Sequence, residues 1–242
     1  ITGILFLIFS LPCLIFIREE PSKEKIPITY FFNKERLIQI FRRLKVTIFD
    51  SNEFAELRKF LKAVFFGLCV VNTIILFMAV YATKVFGLTQ IQIIDFIAFC
   101  TIFAMGGSIF SGFISDILGY RKSLIGVFFL WGICLLAGGL LSPPLHWLVG
   151  ALAGVALGST WVIARALVIK LTPHQKLGEV FGIFNLVSYL SGIIGPLFWG
   201  VMLLFLSSLG QWGYRLALLS LIPLIAIGFI FLLRMPKKAE SR

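Results

Sequence analysis

An acid, two glycines and two bases stand at fixed spacing in Gly112-Phe-Ile-Ser-Asp116-Ile-Leu-Gly119-Tyr-Arg121-Lys122, between two long apolar stretches. A carboxylate at the end of an apolar helix accepts hydrogen bonds from the N-terminus of a neighbouring helix and pairs with an arginine. Gly112 permits close approach, and Gly119 permits a tight turn. Arg121 and Lys122 anchor the next helix among lipid headgroups. A solvated turn explains the two bases, but not Asp116 between two spaced glycines. A second charge interrupts Trp161-Val-Ile-Ala-Arg165-Ala-Leu-Val-Ile. An arginine inside an apolar run is costly and faces a partner or a water-filled cavity. Its expected partners are Asp116 and Glu179, at the same depth. The chemistry expected of these three charges is electrostatic, an ion network at one end of the apolar runs.

Neutral polar residues offer a second constellation. Asn72, Thr73, Thr160 and Trp161 lie in apolar runs, and Asn185, Ser188 and Tyr189 share one helix face at three- and four-residue steps. Each alone can bond between helices. Together they are read as a weakly polar path for a neutral or zwitterionic solute. Asp95 is placed at an outer interface. No catalytic residue, cofactor or metal ligand is expected. Cys13, Cys69, Cys100 and Cys134 lack metal or redox spacing and are read as packing residues. His146 and His174 fall in turns on opposite sides. No paired-carboxylate site, nucleophile elbow or phosphate loop is present.

The elements that must position these residues are membrane spans. The chain is 59% hydrophobic with net charge +11, and its mean hydropathy is +1.00. Apolar runs of about 20 residues, enough for a hydrocarbon core of about 30 Å, separate clustered charges. Backbone groups in lipid must be satisfied within the segment, and period-2 alternation is missing, so the runs are helices. Six spans are expected near 60–83, 90–115, 123–142, 145–170, 179–207 and 213–234. Residues 1–17 are read as the end of a preceding span. The segment 18–59 is read as a basic linker, in which Leu37, Ile40, Phe41, Leu44 and Ile48 form the apolar face of an interfacial helix. Residues 235–242 are a tail. Bases crowd the linker, the 121–122 and 170–176 turns and the tail, whereas Lys84 and Arg215 stand on the opposite side. The linker and tail are therefore expected to be cytoplasmic, in a bacterial inner membrane. The bases follow membrane topology, so nucleic acid is not an expected partner.

The charged turn resembles the Gly-x-x-x-Asp-x-x-Gly-x-Arg-Lys loop of the major facilitator superfamily, found between the second and third helices of each half. The resemblance implies the second half of a twelve-helix fold: an all-α, six-helix transmembrane bundle with the end of the preceding helix. It implies that the loop stabilises one state of an alternating-access cycle. Here Ile117 stands where a base often follows the acid. Gly158-Ser-Thr-Trp-Val-Ile-Ala-Arg165, Leu171-Thr-Pro173 and Glu179-Val-Phe181-Gly182-Ile-Phe184 resemble the autophagy-related vacuolar effluxer branch and its bacterial relatives, as does Val71-Asn72-Thr73. That branch implies amino-acid efflux. Cys69-Val70 replaces its Asp-Gly, and Ala166 replaces a serine. The implied partners are the bilayer, an N-terminal six-helix half and a small solute, with a proton as a possible companion. The alternative is a membrane scaffold or sensor that keeps the fold and acts through its basic linker.

Overall fold

The computed structural model describes residues 55–141 and 145–235, together with Gly3, Leu7, Ile8, Ser10, Leu11, Pro12 and Ile15. The chain divides into two units, 1–43 and 44–242. In the first, the described residues are helical. The interfacial helix expected at 37–48, most of the 18–59 linker, Cys13 and the tail from 236 onward lie outside the described residues.

The second unit is all-helical among its described residues, and six stretches are long and apolar enough to cross a membrane. Helix α1 (Ala55–Tyr81) widens into a π-helical turn, Ala82–Phe86, which Gly87 ends with φ 71°. Helix α2 (Gln90–Leu118) starts at a capping box, in which the Thr89 amide donates to Gln92 Oε1 at 2.9 Å and the Gln92 amide donates back to Thr89 Oγ1. Gly119 then takes φ 89°, a conformation open to glycine, and starts α3 (Tyr120–Leu140). Helix α4 (His146–Leu171) and a 3₁₀ turn at His174–Lys176 lead to α5 (Leu177–Leu206), which carries Pro196. The last span breaks into α6 (Gln211–Leu219) and α7 (Ile222–Leu233). Pro223, near the start of α7, explains the break, because it has no N–H to bond the preceding turn.

Backbone contact, more than side-chain bulk, joins α2 to α4. A Cβ at Gly158 would lie 2.0 Å from the Ala104 carbonyl oxygen, and one at Gly154 would lie 2.3 Å from that of Cys100. Gly107 faces the Val155 backbone in the same way. Small residues permit such approach in lipid, where burial of apolar surface no longer drives association. Helix α5 meets α1 through Gly195, which lies against the Cys69 backbone. Helix α3 supplies the core, with Leu124, Phe128, Trp131 and Leu135 buried. Helices α2 and α5 bury least, and their apolar outer faces suit lipid or another helix layer.

Two sequence readings need correction. Gly112 has no atom within 4 Å of where its Cβ would be, so it is not a contact point within this bundle. His146 is the first residue of α4 and not part of a turn; its ring stacks on Phe86 at 5.3 Å beside Phe96 and Trp147.

Candidate functional site

Hydrogen bonds fix which helix ends lie together. Lys59 Nζ donates to the Arg234 carbonyl at 3.0 Å, so the start of α1 meets the end of α7. Arg121, at the start of α3, reaches the same place: Nε donates to Leu232 O at 3.2 Å and Nη2 to Leu233 O at 3.0 Å. Lys170 lies over the Tyr120 ring at 5.4 Å, which adds the end of α4. This is the end where the bases concentrate. At the opposite end, Arg215 Nη1 donates to Gly139 O and Leu141 O, Tyr81 to Gly138 O, and Gln211 to Val85 O.

The expected headgroup role of Arg121 is therefore corrected. The residue is only 9% exposed, and its guanidinium closes the C-terminus of α7. Arg215 does the same for α3 and is 8% exposed. The last carbonyls of a helix carry partial negative charge and lack intrahelical donors, so a guanidinium fork suits them.

The expected ion network is not formed. Asp116 accepts a hydrogen bond from the Tyr120 hydroxyl at 2.5 Å, one turn further along the chain. Arg165 is exposed and lies 5.4 Å from the Trp161 ring, which sits one turn earlier on α4. No ion pair among the described residues joins Arg165 to Asp116 or Glu179. Asp116 and Arg165 are each instead held by an aromatic residue four positions away in sequence. Gly119 makes the turn, and Lys122 lines the groove beside it.

The polar path separates into two groups. Thr73 and Thr160 are buried, a further correction. Thr73 Oγ1 donates to Cys69 O at 2.6 Å, and Thr160 Oγ1 donates to Ala156 O at 2.7 Å while accepting from Trp131 Nε1 at 3.0 Å. A threonine that bonds back to the preceding turn satisfies itself and packs as an apolar residue. Thr73 and Trp131 also edge a cavity of about 70 Å³ among Phe77, Tyr81 and Trp199. The polar atoms of Thr73, Trp131 and Tyr81 are already bonded, so this is a void in apolar packing.

The second group reaches the surface of the bundle from a buried Ser191 through half-buried Asn72 and Ser188. Asn72 Nδ2 donates to Ser191 Oγ at 3.2 Å, and Ser191 Oγ donates to Ser188 O at 2.7 Å. Asn185 and Tyr189 are exposed on the same helix, Tyr189 at 74%. Mid-span α1 and α5 thus share a polar patch in an otherwise apolar setting. Ser191 was missing from the sequence reading; its signal was the three-residue step from Ser188, which places both on one face.

The Major Facilitator Superfamily model matches residues 1–196 and again residues 97–242. The chain belongs to the major facilitator superfamily. Its fold agrees: the inward-open xylose transporter XylE of E. coli aligns with a TM-score of 0.58 at 17% identity, over 81% of this chain and 48% of that one. Among curated relatives, an uncharacterised protein of Aquifex aeolicus (strain VF5) is 24% identical across 97% of this chain and 56% of its own length. The uncharacterised MFS-type transporter YxiO of Bacillus subtilis (strain 168) is 26% identical across 88% of this chain and 49% of its own length. A Na(+), Li(+), K(+)/H(+) antiporter of Planococcus maritimus is 27% identical across 65% of this chain and 36% of its own length. This facilitator chain spans about half the length of the first two. As a member of the superfamily it is an integral, multi-pass membrane protein.

Proposed function

We propose that the chain is the second half of a secondary transporter, in which this bundle rocks against an upstream six-helix half around a midplane site. In this reading 1–17 ends the preceding span, 18–59 is the cytoplasmic linker, 60–234 is the bundle and 235–242 is the tail. The solute path runs along the α1–α5 patch, with Asn72, Asn185, Ser188 and Tyr189 as its polar contacts. The observation that carries this is the placement of that patch: uncharged, reaching the surface of the bundle and midway along both helices. Polar side chains in lipid face a cavity or a partner.

The solute class is small and neutral or zwitterionic, an amino acid or similar metabolite, leaving the cell across the cytoplasmic membrane. The resemblance of the 158–184 segment to the amino-acid effluxer branch supports it. The antiporter relative raises a cation/proton exchange reading. Among the described residues the acids are Glu56, Asp95, Asp116 and Glu179, and all lie within about two turns of a helix end. A proton-carrying carboxylate at the midplane would have to come from the other half.

The test is uptake and efflux in vesicles carrying the full-length protein, with an amino-acid panel and an imposed proton gradient. Asn72→Leu and Asn185→Leu are expected to lower the transport rate at least about tenfold, as for loss of a polar group from a site built to bond it. The protein should stay folded and correctly oriented. Unchanged rates in both variants, or movement of no solute by the wild type, would sink the proposal.

A further inference from the structure

We propose that the groove beneath Gly119 holds the phosphate of an anionic phospholipid, drawn from the leaflet at the basic end of the bundle. The groove has a volume of about 290 Å³ and lies between the end of α2, the start of α3 and the end of α4. Among the described residues, Arg121, Lys122 and Lys170 line it against a single acid, Asp116. That acid is already engaged by the Tyr120 hydroxyl. Arg121 commits Nε and Nη2 to the Leu232 and Leu233 carbonyls and adds its charge to the lining. Lys170 stands over the Tyr120 ring, with no carboxylate among the described residues at ion-pair distance. The floor of the groove is therefore cationic, and it has three elements to hold an anion. Basic pockets between membrane helices on one side of a bilayer recognise lipid phosphates in this way.

The rim identifies an amphiphile. Phe113, Ile117 and Leu118 on the last turns of α2 are 66%, 82% and 54% exposed. A free anion needs the bases alone. A phospholipid needs both the bases and an apolar track that begins at the groove and runs toward the bilayer centre, as the exposed face of α2 does with Ile109 and Phe110 one to two turns deeper. Such a lipid would brace the α2–α3 turn against α4.

The purified protein, stripped of lipid in neutral detergent, would be titrated with phosphatidylglycerol or phosphatidylethanolamine, with retained lipid read by native mass spectrometry. Phosphatidylglycerol is expected to bind more tightly than phosphatidylethanolamine. Lys170→Gln should weaken it about fivefold, Lys170→Arg should restore it, and Lys84→Gln at the opposite end should leave it unchanged. Equal retention by wild type, Lys170→Gln and Lys122→Gln would overturn the proposal. So would equal binding of the two lipids. Full displacement of phosphatidylglycerol by glycerol 1-phosphate would also overturn it, by assigning the groove to a soluble phosphate. Lys170 is exposed, so its variants should keep the wild-type melting temperature. The assay measures no transport, so its outcome is independent of the solute path.

Discussion

Gly158→Ala destabilises the bundle by about 1–3 kcal/mol, the range for overpacking a close contact, and Gly158→Leu separates α2 from α4 outright. The methyl group would sit 2.0 Å from the Ala104 carbonyl oxygen and 2.9 Å from its carbon. Both are backbone atoms and cannot rotate away. Relief requires the two helices to move apart along the seam that Gly154 and Gly107 continue, and that movement also stretches the Ser159 Oγ bond to Gly107 O, now 3.2 Å. In lipid the seam has only packing and such bonds to hold it, because hydrocarbon would cover separated faces equally well. Gly126→Ala is the control. That glycine has open space around its Cβ position, so removing it from a helix interior should hold or raise stability by up to about 1 kcal/mol. The measurement is thermal unfolding in detergent for both variants. A Gly158→Ala protein that melts with the wild type would mean that the helices are not in backbone contact.

The seam shows which parts of the fold are legible in sequence. Gly154 and Gly158 announce themselves by four-residue spacing, because that spacing stacks two small residues on one face. Ser108-x-x-x-Gly112 has the same spacing, and only half of it serves: the Ser108 backbone lies by Gly158, while Gly112 faces open space. Spacing reports a face and leaves the partner unnamed. The six spans were readable because length and hydropathy decide them, whereas the π turn at Ala82–Phe86 and the break before Ile222 are local departures within continuous apolar runs. The Asp116–Arg165–Glu179 expectation failed for a related reason. Depth along the membrane follows from sequence position, but the direction around each helix axis depends on the packing of all the others. Thr73 and Thr160 were expected on a polar path because their hydroxyls count as polar. Each instead bonds four residues back and goes into the core. Arg121 and Arg215 were assigned correctly to opposite ends, but their acceptors lie 111 and 76 residues away in sequence and no motif points to them.

Arg121→Ala is expected to destabilise the bundle by about 1–3 kcal/mol, since the Leu233 carbonyl loses its donor while the Leu232 carbonyl keeps the Met235 amide. Nε and Nη2 serve Leu232 O and Leu233 O from one planar group. A lysine ammonium is a single point of charge on a flexible stem, so Arg121→Lys should recover less than half of the loss. Arg215 makes the equivalent closure at the other end of α3, with Tyr81 taking the Gly138 carbonyl at 2.7 Å. The 21 residues of α3 separate the two clamps by about 30 Å, so the effects of Arg121→Ala and Arg215→Ala should add to within about 0.5 kcal/mol. Together the clamps tie α3 to the last span at both ends, with the ends of α1 joined to the same block through Lys59, Tyr81 and Gln211. Helices α2 and α5 carry no arginine clamp among the described residues; α2 is held to α4 by the Ser159–Gly107 bond and α5 to α1 by the Asn72–Ser191 bond. The arginine clamps therefore hold α3 to the last span, whereas the α2–α4 and α1–α5 seams rest on close backbone approach. Hydrogen exchange should show the difference directly: in Arg121→Ala, protection falls first at the end of α7 and the start of α3, and the α1–α5 patch keeps its wild-type rate. Uniform loss of protection over all six spans would show that the clamp holds the whole bundle and not α3 and the last span alone.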